Sequence, residues 1–525
     1  MILFKNSEES FNGYTLFAPI KSTQTYLINN CGEKVHSWSS EYQPGLSCYL
    51  LENSILLRTG KVPGIGGGSG IVEMIDWDGN VIWDYSIDSE LGNQHHDIEM
   101  LPNGNILFIV NDLVSKAEVI QAGSSTTLNE IKSEQIIEIQ PDLENGGGTV
   151  VWKWRAWDHL IQDADPTKDN YGTISQKPER IDINFLSHAT SDWLHINGVG
   201  YNAEFDQIII SIHNFSEFWI IDHSTTLEEA TSSAGGTHGK GGDLIYRWGN
   251  PQAYDQGTET DQKLFLQHHT HWIPDGLNDA GKILLFNNQA GTPEGTDYST
   301  VNIVELPINS KRFYEYNDGA YAPTNFDWTY KAPVATDFFS NIISSVQRLE
   351  NGNTLICEGV SGRFFEINTN NEIVWEYINP VNDLGSIAQN TTANDNNVFR
   401  CERYAPDYAG LTGHELTSQG YIETGSTYTC DLYTVGISSL QSTKNNYSVY
   451  PNPASSDITL QTITKSKSDL KLEIFNTNGT KIKTQKLDAN NTEQQIDIST
   501  LNNGLYFITI SNNIEVWVEK LVVQK

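Results

Sequence analysis

Three histidines, His96, His195 and His268, stand at similar places in three separate segments of the chain. The segments read HHDIEMLPNGNILF, LHINGVGYNAEFDQIIIS and HHTHWIPDG followed by an apolar run. In each segment a turn begins six residues after the histidine and leads into an apolar β-type run. The repetition predicts that the three imidazoles occupy one repeated structural position.

Neutral imidazoles can bind a transition metal, move protons or attack an electrophile as nucleophiles. A metal site would need a carboxylate ligand nearby, and Asp97 directly follows His96. Neighbours on a strand point to opposite faces, so Asp97 and His96 are not expected to reach one ion. Asn197 shares the face of His195 in an extended segment, and an amide suits an oxyanion better than a divalent cation. We predict no metal site.

The elements that must position these histidines show a second repeat. Six short hydrophobic segments end in aromatic residues, which is typical of half-buried outer strands. They are VHSW from Val35, VIWDY from Val81, VVWKW from Val150, LIYRW from Leu244, FDWTY from Phe326 and IVWEY from Ile373.

Turn-plus-strand units fall between these segments, and NVFRCERY from Asn397 can supply the sixth. Small antiparallel sheets repeated along a chain of this length are typical of propeller blades. We therefore predict an all-β fold, a six-bladed β-propeller over residues 1–435. The innermost strand of each blade lines the central channel, so the three histidines are expected to converge on one axial pocket.

Composition agrees with many strands and turns, since 42 glycines, 23 tyrosines and 13 tryptophans accompany only 3 methionines. The net charge of −34 argues against nucleic acid and anionic membranes as partners. No apolar run of 18 residues exists, so no transmembrane helix is expected. The five cysteines form no CxxC pair, and their odd number leaves at least one thiol unpaired within the chain.

Residues 447–525, after a linker at 436–446, alternate apolar and polar positions around Asn-Gly turns and predict a small β-sandwich. With YPNPA, IFNTNG, LNNGLYFI and the terminal KLVVQK, this piece resembles the C-terminal sorting domain of the type IX secretion system. The resemblance implies the type IX secretion machinery as a partner and a secreted or cell-surface location. A carbohydrate-binding or structural sandwich is the alternative. The start, MILFKNSEES, is a poor signal peptide, so we expect the leader to be missing from this sequence.

The chain from Gly13 to about Tyr408 resembles the bacterial arylsulfate sulfotransferases. The motifs that carry the resemblance are GYTLFAP, QHHDIEMLPNGN, DWLHIN, IIDHSTTLEEA, GGDLIYRWGNP, LFLQHHTHWIPDG and NVFRCERYAPDY. The resemblance implies a six-bladed propeller that moves sulfate between phenols without a nucleotide donor, and we expect no cofactor.

The same resemblance implies roles for individual residues. His268 matches the histidine that attacks the sulfuryl group and becomes a transient sulfohistidine. His195 and Asn197 match a His-x-Asn pair that contacts the sulfate and assists proton movement. His96 matches a further channel histidine. The predicted catalytic residues are thus His268, His195 and His96, and Asn197 is predicted to bind substrate.

One position departs from the family pattern, because His213 stands where well-known members have a sulfate-binding arginine. Histidine lacks the planar guanidinium that binds two oxygens at once. We assign His213 to substrate binding and expect that Arg348, Arg363 or Arg403 could supply a cation from another blade. His269, next to His268, should turn away from it and is expected to be structural.

The function predicted is transfer of a sulfuryl group from an aryl sulfate donor to a phenolic acceptor. Two alternatives remain: a secreted propeller that binds anions or glycans without turnover, and a metal-dependent lyase or hydrolase. The natural donor and acceptor are not predicted, because loops that the repeat does not place determine specificity.

Overall fold

A computed structural model gives the fold of the chain. The described residues are 3–63, 70–87, 91–186, 190–309, 312–314, 316, 319–426, 430, 447–462, 470–476, 481–488, 491–511 and 516–525. Two compact units divide the chain, Met1–Tyr433 and Thr434–Lys525, which we call the N-terminal and C-terminal units. The linker predicted at 436–446 lies outside the described residues.

The N-terminal unit consists of short strands joined by turns. Its strands up to the middle of the unit are β1 (Leu3–Asn6), β2 (Tyr14–Pro19), β3 (Gln24–Asn29), β4 (Lys34–Ser39), β5 (Pro44–Leu50), β6 (Leu56–Lys61), β7 (Gly70–Ile75), β8 (Val81–Tyr85), β9 (Gln94–Met100), β10 (Ile106–Ser115), β11 (Glu130–Pro141), β12 (Gly148–Arg155), β13 (Leu160–Ile161) and β14 (Ile181–Asp182).

The second half of the unit continues the same pattern. Its strands are β15 (Ile196–Asn202), β16 (Gln207–Ile212), β17 (Glu217–Asp222), β18 (Tyr246–Trp248), β19 (His268–Trp272), β20 (Ile283–Asn287), β21 (Thr300–Val304), β22 (Trp328–Tyr330), β23 (Ser345–Arg348), β24 (Thr354–Glu358), β25 (Arg363–Ile367), β26 (Ile373–Ile378), β27 (Val381–Asn382), β28 (Gly385–Ser386) and β29 (Val398–Tyr404).

Helical structure is limited. One α-helix, α1 (Lys116–Gln121), begins at a capping box formed by Ser115 and Glu118. Short 3₁₀ turns occur at Ala156–His159, Ile174–Gln176, Glu229–Thr231, Pro251–Tyr254, Glu259–Asp261, Thr292–Glu294, Ala335–Asp337, Gly359–Ser361 and Ala409–Leu411. None of the described helices is long and apolar enough to cross a membrane.

The main strands group into antiparallel sets of four, which we call blades. Blade 1 is β29-β2-β3-β4, and blades 2 to 6 are β5–β8, β9–β12, β15–β18, β19–β22 and β23–β26. A single parallel pair between Leu46 and His96 joins blades 2 and 3 into one eight-stranded sheet. The first strand of each blade contacts the first strand of the next, and β23 contacts β29, so the contacts return to blade 1.

Tryptophans on the outer strands link successive blades. The predicted aromatic segments form the fourth strand of each blade, namely β4, β8, β12, β18, β22 and β26. In five blades an indole N–H donates to a carbonyl in the outer turn of the next blade. These bonds are Trp38 to Asp76 (3.0 Å), Trp83 to Gly147 (2.8 Å), Trp154 to Gly242 (2.7 Å), Trp248 to Pro323 (2.7 Å) and Trp375 to Asn30 (2.8 Å).

Both ends of the N-terminal unit take part in closing it. Strand β29 pairs with β2 as the inner strand of blade 1, while β1 pairs with β26 as an added outer strand of blade 6. A disulfide joins Cys31 to Cys430, 399 residues apart in sequence. The remaining cysteines, Cys48, Cys357 and Cys401, are buried free thiols. The predicted all-β, propeller-like fold is confirmed; the blade count of six stays a prediction, with which the described strands agree.

The C-terminal unit contains two sheets around its own hydrophobic core. The core includes Ile458, Leu472, Ile474 and Ile508, all fully buried. The strands are β30 (Tyr447–Tyr450), β31 (Asp457–Thr462), β32 (Leu470–Asn476), β33 (Lys481–Leu487), β34 (Glu493–Asp497), β35 (Gly504–Ser511) and β36 (Val516–Val523), in the orders β30-β31-β34 and β33-β32-β35-β36. This arrangement agrees with the small sandwich predicted from the alternating sequence.

Candidate active site

The inner strands of three consecutive blades carry a local irregularity where the histidines lie. His96, His195 and His269 adopt positive φ angles of 56°, 55° and 50°. The pairing register shifts at each of these places. A left-handed residue other than glycine costs about 1–2 kcal/mol, and such residues concentrate at functional sites. The left-handed residue of β19 is thus His269, next to His268, while His96 and His268 both lie three residues before a paired residue, Glu99 and His271 respectively.

Four imidazoles nevertheless meet at the start of these inner strands. Ring centroids are 4.7 Å apart for His96 and His195, 4.9 Å for His195 and His213, and 5.3 Å for His213 and His268. We call these four residues the imidazole cluster. Phe399 packs against it, 6.1 Å from the His96 ring and 6.5 Å from the His268 ring. The structure thus brings together every histidine predicted for the site.

His268 is buried and has a defined tautomer. Its Nδ1 lies 2.8 Å from the Oδ1 of Asn288, whose Nδ2 donates to the carbonyls of Ser340 and Ile343 at 2.9 and 2.8 Å. Since Asn288 Oδ1 must accept, His268 Nδ1 carries the proton and Nε2 carries the lone pair. The N–H of Ile343 donates to that lone pair at 3.1 Å.

The charge state of His268 follows from its surroundings. Burial, together with the nearby rings of His213 and His195 and the charge of Arg400, holds the pKa of His268 well below its ordinary value. His268 is therefore a neutral imidazole at physiological pH. A neutral ring with a lone pair on Nε2 is a competent nucleophile.

His195, in contrast to His268, favours its protonated form. Its Nδ1 lies 2.7 Å from Asp192 Oδ2. Burial alone would lower the pKa of His195, but the hydrogen bond and charge of Asp192, together with the charge of Glu134, raise it above its ordinary value. His195 is thus the member of the cluster best suited to hold and donate a proton.

His96 ends a chain of three ionisable groups. Its Nδ1 lies 2.7 Å from the Nδ1 of His95, and His95 Nε2 lies 3.0 Å from the Glu134 carboxylate. The other carboxylate oxygen of Glu134 accepts the N–H of Ile196 at 2.7 Å. Burial, and secondarily the rings of His195 and His95, hold the pKa of His96 well below its ordinary value. Glu134 and His95 fix the orientation of the His96 ring, and nothing in the sequence pattern marks either residue.

His213 fills the gap between His195 and His268 as a neutral ring. Burial, and then the charge of His195, lower the pKa of His213 to about 4. Its Nδ1 lies 2.8 Å from Asn214 Oδ1, and the Asn214 amide donates to backbone carbonyls of Asp192 and Trp193. The proton of His213 is therefore on Nδ1, and Nε2 carries a lone pair. An anion can accept a hydrogen bond from Nε2 only after His213 takes up a proton.

Asn197 lies beside the cluster and is completely buried. Its Nδ2 donates to the carbonyl of Gln267 at 2.8 Å, which ties β15 to the residue before His268. Its Oδ1 has no hydrogen-bond partner in the part of the chain that the structure describes. The amide thus fixes the strand that carries His268, and its predicted contact with substrate stays a prediction.

The three arginines considered as cation donors are engaged elsewhere. Arg348 pairs with Asp279 at 3.1 Å, Arg363 with Glu376 at 2.6 Å and Arg403 with Glu366 at 2.6 Å. Among the residues that the structure describes, no ion pair or hydrogen bond joins any of these arginines to the imidazole cluster.

Arg400, within NVFRCERY, is a buried cation on the inner strand β29 that the sequence does not single out. Its Nη2 lies 2.6 Å from Asp97 Oδ2, and its Nη1 donates to Tyr49. Asp97 also accepts from the Tyr49 hydroxyl at 2.7 Å and from the N–H of Val199 at 3.2 Å. Asp97 therefore joins four inner strands and is not directed at the His96 ring. Among the described residues, no group of three or more His, Cys, Asp or Glu side chains could hold a metal ion.

His269 accepts the N–H of Val346 on its Nδ1 at 3.0 Å. The bond connects β19 to β23. A structural contribution of this kind agrees with the role expected for His269.

Comparison with known proteins gives one family for the N-terminal unit. A family model described as Arylsulfotransferase (ASST) matches residues 52–402, more than half of the chain. A model described as Secretion system C-terminal sorting domain matches residues 448–524. No curated protein gives a match.

Two of the solved structures that match this chain are distantly similar to it. Virginiamycin B lyase from Staphylococcus aureus is 10% identical, covers 72% of this chain and 87% of its own, and gives a TM-score of 0.34. A putative 6-phosphogluconolactonase from Bacteroides fragilis is also 10% identical, covers 75% and 98%, and gives a TM-score of 0.34. Similarity at this level carries no information on activity.

Proposed function

The chain belongs to the arylsulfotransferase family, and we propose that it transfers a sulfuryl group from an aryl sulfate to a phenol through a covalent intermediate on His268. The observation that carries the proposal is that the cluster contains one imidazole that favours its neutral form and another that favours its protonated form. His268 is neutral with its lone pair on Nε2, whereas Asp192 raises the pKa of His195 and so favours its protonated form.

In the first half-reaction, His268 Nε2 attacks the sulfur of the aryl sulfate. The N–S bond forms as the bond between sulfur and the aryl oxygen breaks, and the His195 proton passes to the leaving oxygen. The imidazole takes the sulfuryl group and the phenol departs. His195 is then neutral and ready to act as a base.

In the second half-reaction, a phenolic acceptor gives its proton to His195. Its oxygen attacks the sulfur, the N–S bond breaks, and His268 returns to the neutral form. No cofactor takes part in either step. The second half-reaction restores the His195 proton and the free His268 imidazole that the first consumes. Donor and acceptor therefore react in turn.

The N–H of Ile343 has a place in this cycle. It donates to His268 Nε2 in the free protein at 3.1 Å, so that bond must break before Nε2 can attack. Ile343 and Ser344 have positive φ angles of 52° and 92°, a strained backbone next to the nucleophile. Once released, the N–H is available to a sulfuryl oxygen, where a preorganised donor stabilises developing negative charge.

Nitrophenol release from p-nitrophenyl sulfate, with phenol as acceptor, tests the proposal. We expect turnover by the full-length protein, and loss of turnover in His268→Ala, because no other cluster nitrogen has the same neutral state and position. His238→Ala, which changes a histidine outside the cluster, should retain the activity. Absence of release by the unmodified protein would contradict the proposal and favour a propeller that binds anions without turnover.

A trapping experiment separates the covalent route from direct transfer. Protein denatured rapidly after mixing with the donor alone should carry one acid-labile sulfuryl group, located on His268 by mass spectrometry of alkaline digests. Direct transfer between donor and acceptor would leave the protein unmodified.

The C-terminal unit supports a second proposal, that the chain is exported. Residues 448–524 match the sorting-domain model, which supports a secreted or cell-surface location. The type IX secretion machinery is the partner that this domain implies.

A further inference from the structure

A second cavity lies along the far halves of the same inner strands. Its volume is about 470 Å³, within the range of small-molecule sites. Residues of β5, β9, β15, β19, β23 and β29 line it, and none of the four members of the imidazole cluster does. The buried pair of Asp97 and Arg400 stands beside it, with Arg400 in its wall. The cavity is therefore distinct from the site proposed for sulfuryl transfer.

Two carboxyl groups face this cavity without a cation of their own. Glu99 is on β9 and Glu402 is on β29, and both are partly exposed to the space. Among the described residues, no lysine or arginine lies within ion-pair distance of either, and Glu402 has only the His269 ring at 3.8 Å. Arg400 and Arg348 also line the cavity, but each guanidinium is already engaged by an aspartate, Arg400 by Asp97 at 2.6 Å and Arg348 by Asp279 at 3.1 Å.

The protonation of the two carboxyl groups reflects this lack of a counter-ion. Burial, and then the charge of Asp97, raise the pKa of Glu99 to about 8. Burial raises the pKa of Glu402 to about 7, although Arg400 opposes the shift. The neighbouring rings do not supply a cation, because burial lowers the pKa of His271 to about 4. A cation that entered the cavity would allow both carboxyl groups to ionise.

The walls of the cavity add a second, independent indication of a ligand. Trp272 lines it, is only 8% exposed, and has an indole N–H without a hydrogen-bond partner among the described residues. Tyr201 and Phe205 also line the cavity and provide further aromatic surface. Aromatic faces attract organic cations, and a buried N–H donor requires an acceptor oxygen.

We propose that this cavity binds an organic ammonium compound that has an aromatic or apolar body and a hydroxyl or carbonyl oxygen. The ammonium group lies between Glu99 and Glu402, and the oxygen accepts the indole N–H of Trp272. The cavity dimensions admit one ring with a short side chain. Metal ions do not fit the same groups, since no set of three His, Cys, Asp or Glu ligands assembles among the described residues.

Calorimetric titration of the full-length protein with 2-amino-1-phenylethanol at neutral pH tests the proposal. This probe has an ammonium group, a hydroxyl and a phenyl ring, and it is not a phenol. We expect saturable binding at one site. The neutral analogue 1-phenylethane-1,2-diol should bind at least tenfold more weakly, because it cannot ionise the two carboxyl groups.

Variants locate the binding. Glu99→Gln and Glu402→Gln should each weaken the ammonium compound at least tenfold, whereas Glu294→Gln, an exposed glutamate outside the cavity, should leave affinity unchanged. Glutamine replaces a protonated carboxyl group of nearly equal shape, so the fold should persist, and a thermal unfolding curve checks this.

The proposal would be overturned if the ammonium compound showed no saturable binding. It would also be overturned if the protein bound the diol as tightly as the ammonium compound, or if the Gln variants bound the ammonium compound as tightly as the unmodified protein. His268→Ala should bind the probe like the unmodified protein. Failure of sulfuryl transfer would therefore leave this measurement interpretable, and failure of binding would leave the transfer experiment interpretable.

Discussion

Asp192 sets the charge of one imidazole in a cluster whose other rings prefer to be neutral. His195 lies 2.7 Å from this carboxylate, whereas the nearest polar partner of His268 is the neutral amide of Asn288. The pKa values of His195 and His268 therefore shift in opposite directions, in part because the partners of the two rings differ. The division of labour between nucleophile and acid follows from Asp192 and Asn288 as much as from the histidines.

Asp192→Asn should lower the pKa of His195, because it removes the negative charge and retains an acceptor. His195 must be protonated to donate, so its raised pKa maintains activity across neutral pH, and activity falls as pH rises through that pKa. In the variant the fall should begin at lower pH. With phenyl sulfate, whose leaving group needs a proton, kcat at neutral pH should drop about 10²-fold.

Profiles of kcat against pH for phenyl sulfate and p-nitrophenyl sulfate measure this effect. Nitrophenolate leaves without a proton, so its rate should drop much less. Asp206→Asn, which changes a carboxylate paired with a histidine outside the cluster, serves as the control. Identical profiles for the unmodified protein and Asp192→Asn would refute the assignment of His195 as the acid.

At the scale of elements, His223 joins two neighbouring blades. Its Nδ1 lies 2.6 Å from Asp206, in the turn after β15, and its Nε2 lies 3.1 Å from Glu138 on β11. Burial alone would lower the pKa of His223, but the bonds and charges of Asp206 and Glu138 raise it to about 9. The junction between blades 3 and 4 thus contains a charged imidazole between two carboxylates.

This junction should weaken at alkaline pH. The pKa of His223 is raised on folding, so its stabilisation is fully present below the unfolded value of about 6.5 and is lost as pH rises through about 9. The contribution lost is on the order of 2 kcal/mol. Urea unfolding of the full chain at pH 6, 8 and 10, compared with His223→Gln, measures it.

The difference in free energy of unfolding between the two proteins should shrink as pH rises. Other groups titrate in both proteins and cancel in that difference. His238→Gln, a histidine outside the junction, should show no such trend. A difference that does not change with pH would mean that His223 is not charged in the folded protein.

The sequence predicts elements better than it predicts the registers within them. Aromatic alternation at Trp38 or Trp375 correctly identified outer strands, because the side chains of a half-buried strand repeat every two residues. The repeat around His96 and His268 correctly placed both on inner strands. It did not reveal the left-handed residues at His96 and His269, since a left-handed backbone interrupts the two-residue period and leaves no mark in composition.

The groups that complete the site were harder to predict. Arg400 comes from β29 of blade 1, and Glu134 comes from β11, two strands away from β9 in blade 3, so only the folded sheets bring them to the site. Nothing in NVFRCERY distinguishes Arg400 from Arg403, although one lies in the channel wall and the other pairs with Glu366. The pKa shifts likewise depend on burial, which spacing along the chain does not reveal.

At the scale of the whole molecule, catalysis and export are assigned to different units. The imidazole cluster lies within Met1–Tyr433, and the sorting-domain match lies within Thr434–Lys525. Each unit has its own hydrophobic core. Removal of the C-terminal unit should therefore alter location without altering the chemistry.

A truncation after residue 446 tests this separation. The full chain, produced with an export leader in a bacterium that has type IX secretion, should reach the surface or the medium. The truncated chain should accumulate in the periplasm with unchanged nitrophenol release. A strain without the machinery should retain both forms, and export of the truncated chain would show that the C-terminal unit is not the sorting signal.

The disulfide between Cys31 and Cys430 has a further consequence for maturation. Cys430 precedes the boundary at Tyr433 by a few residues, so both sulfur atoms belong to the N-terminal unit. A protease that cut anywhere between 434 and 446 would remove the sorting domain. The disulfide would stay in the N-terminal unit. Disulfides form in oxidising compartments. During passage through the periplasm, the bond between Cys31 and Cys430 would therefore form before that cut and crosslink the two ends of the N-terminal unit.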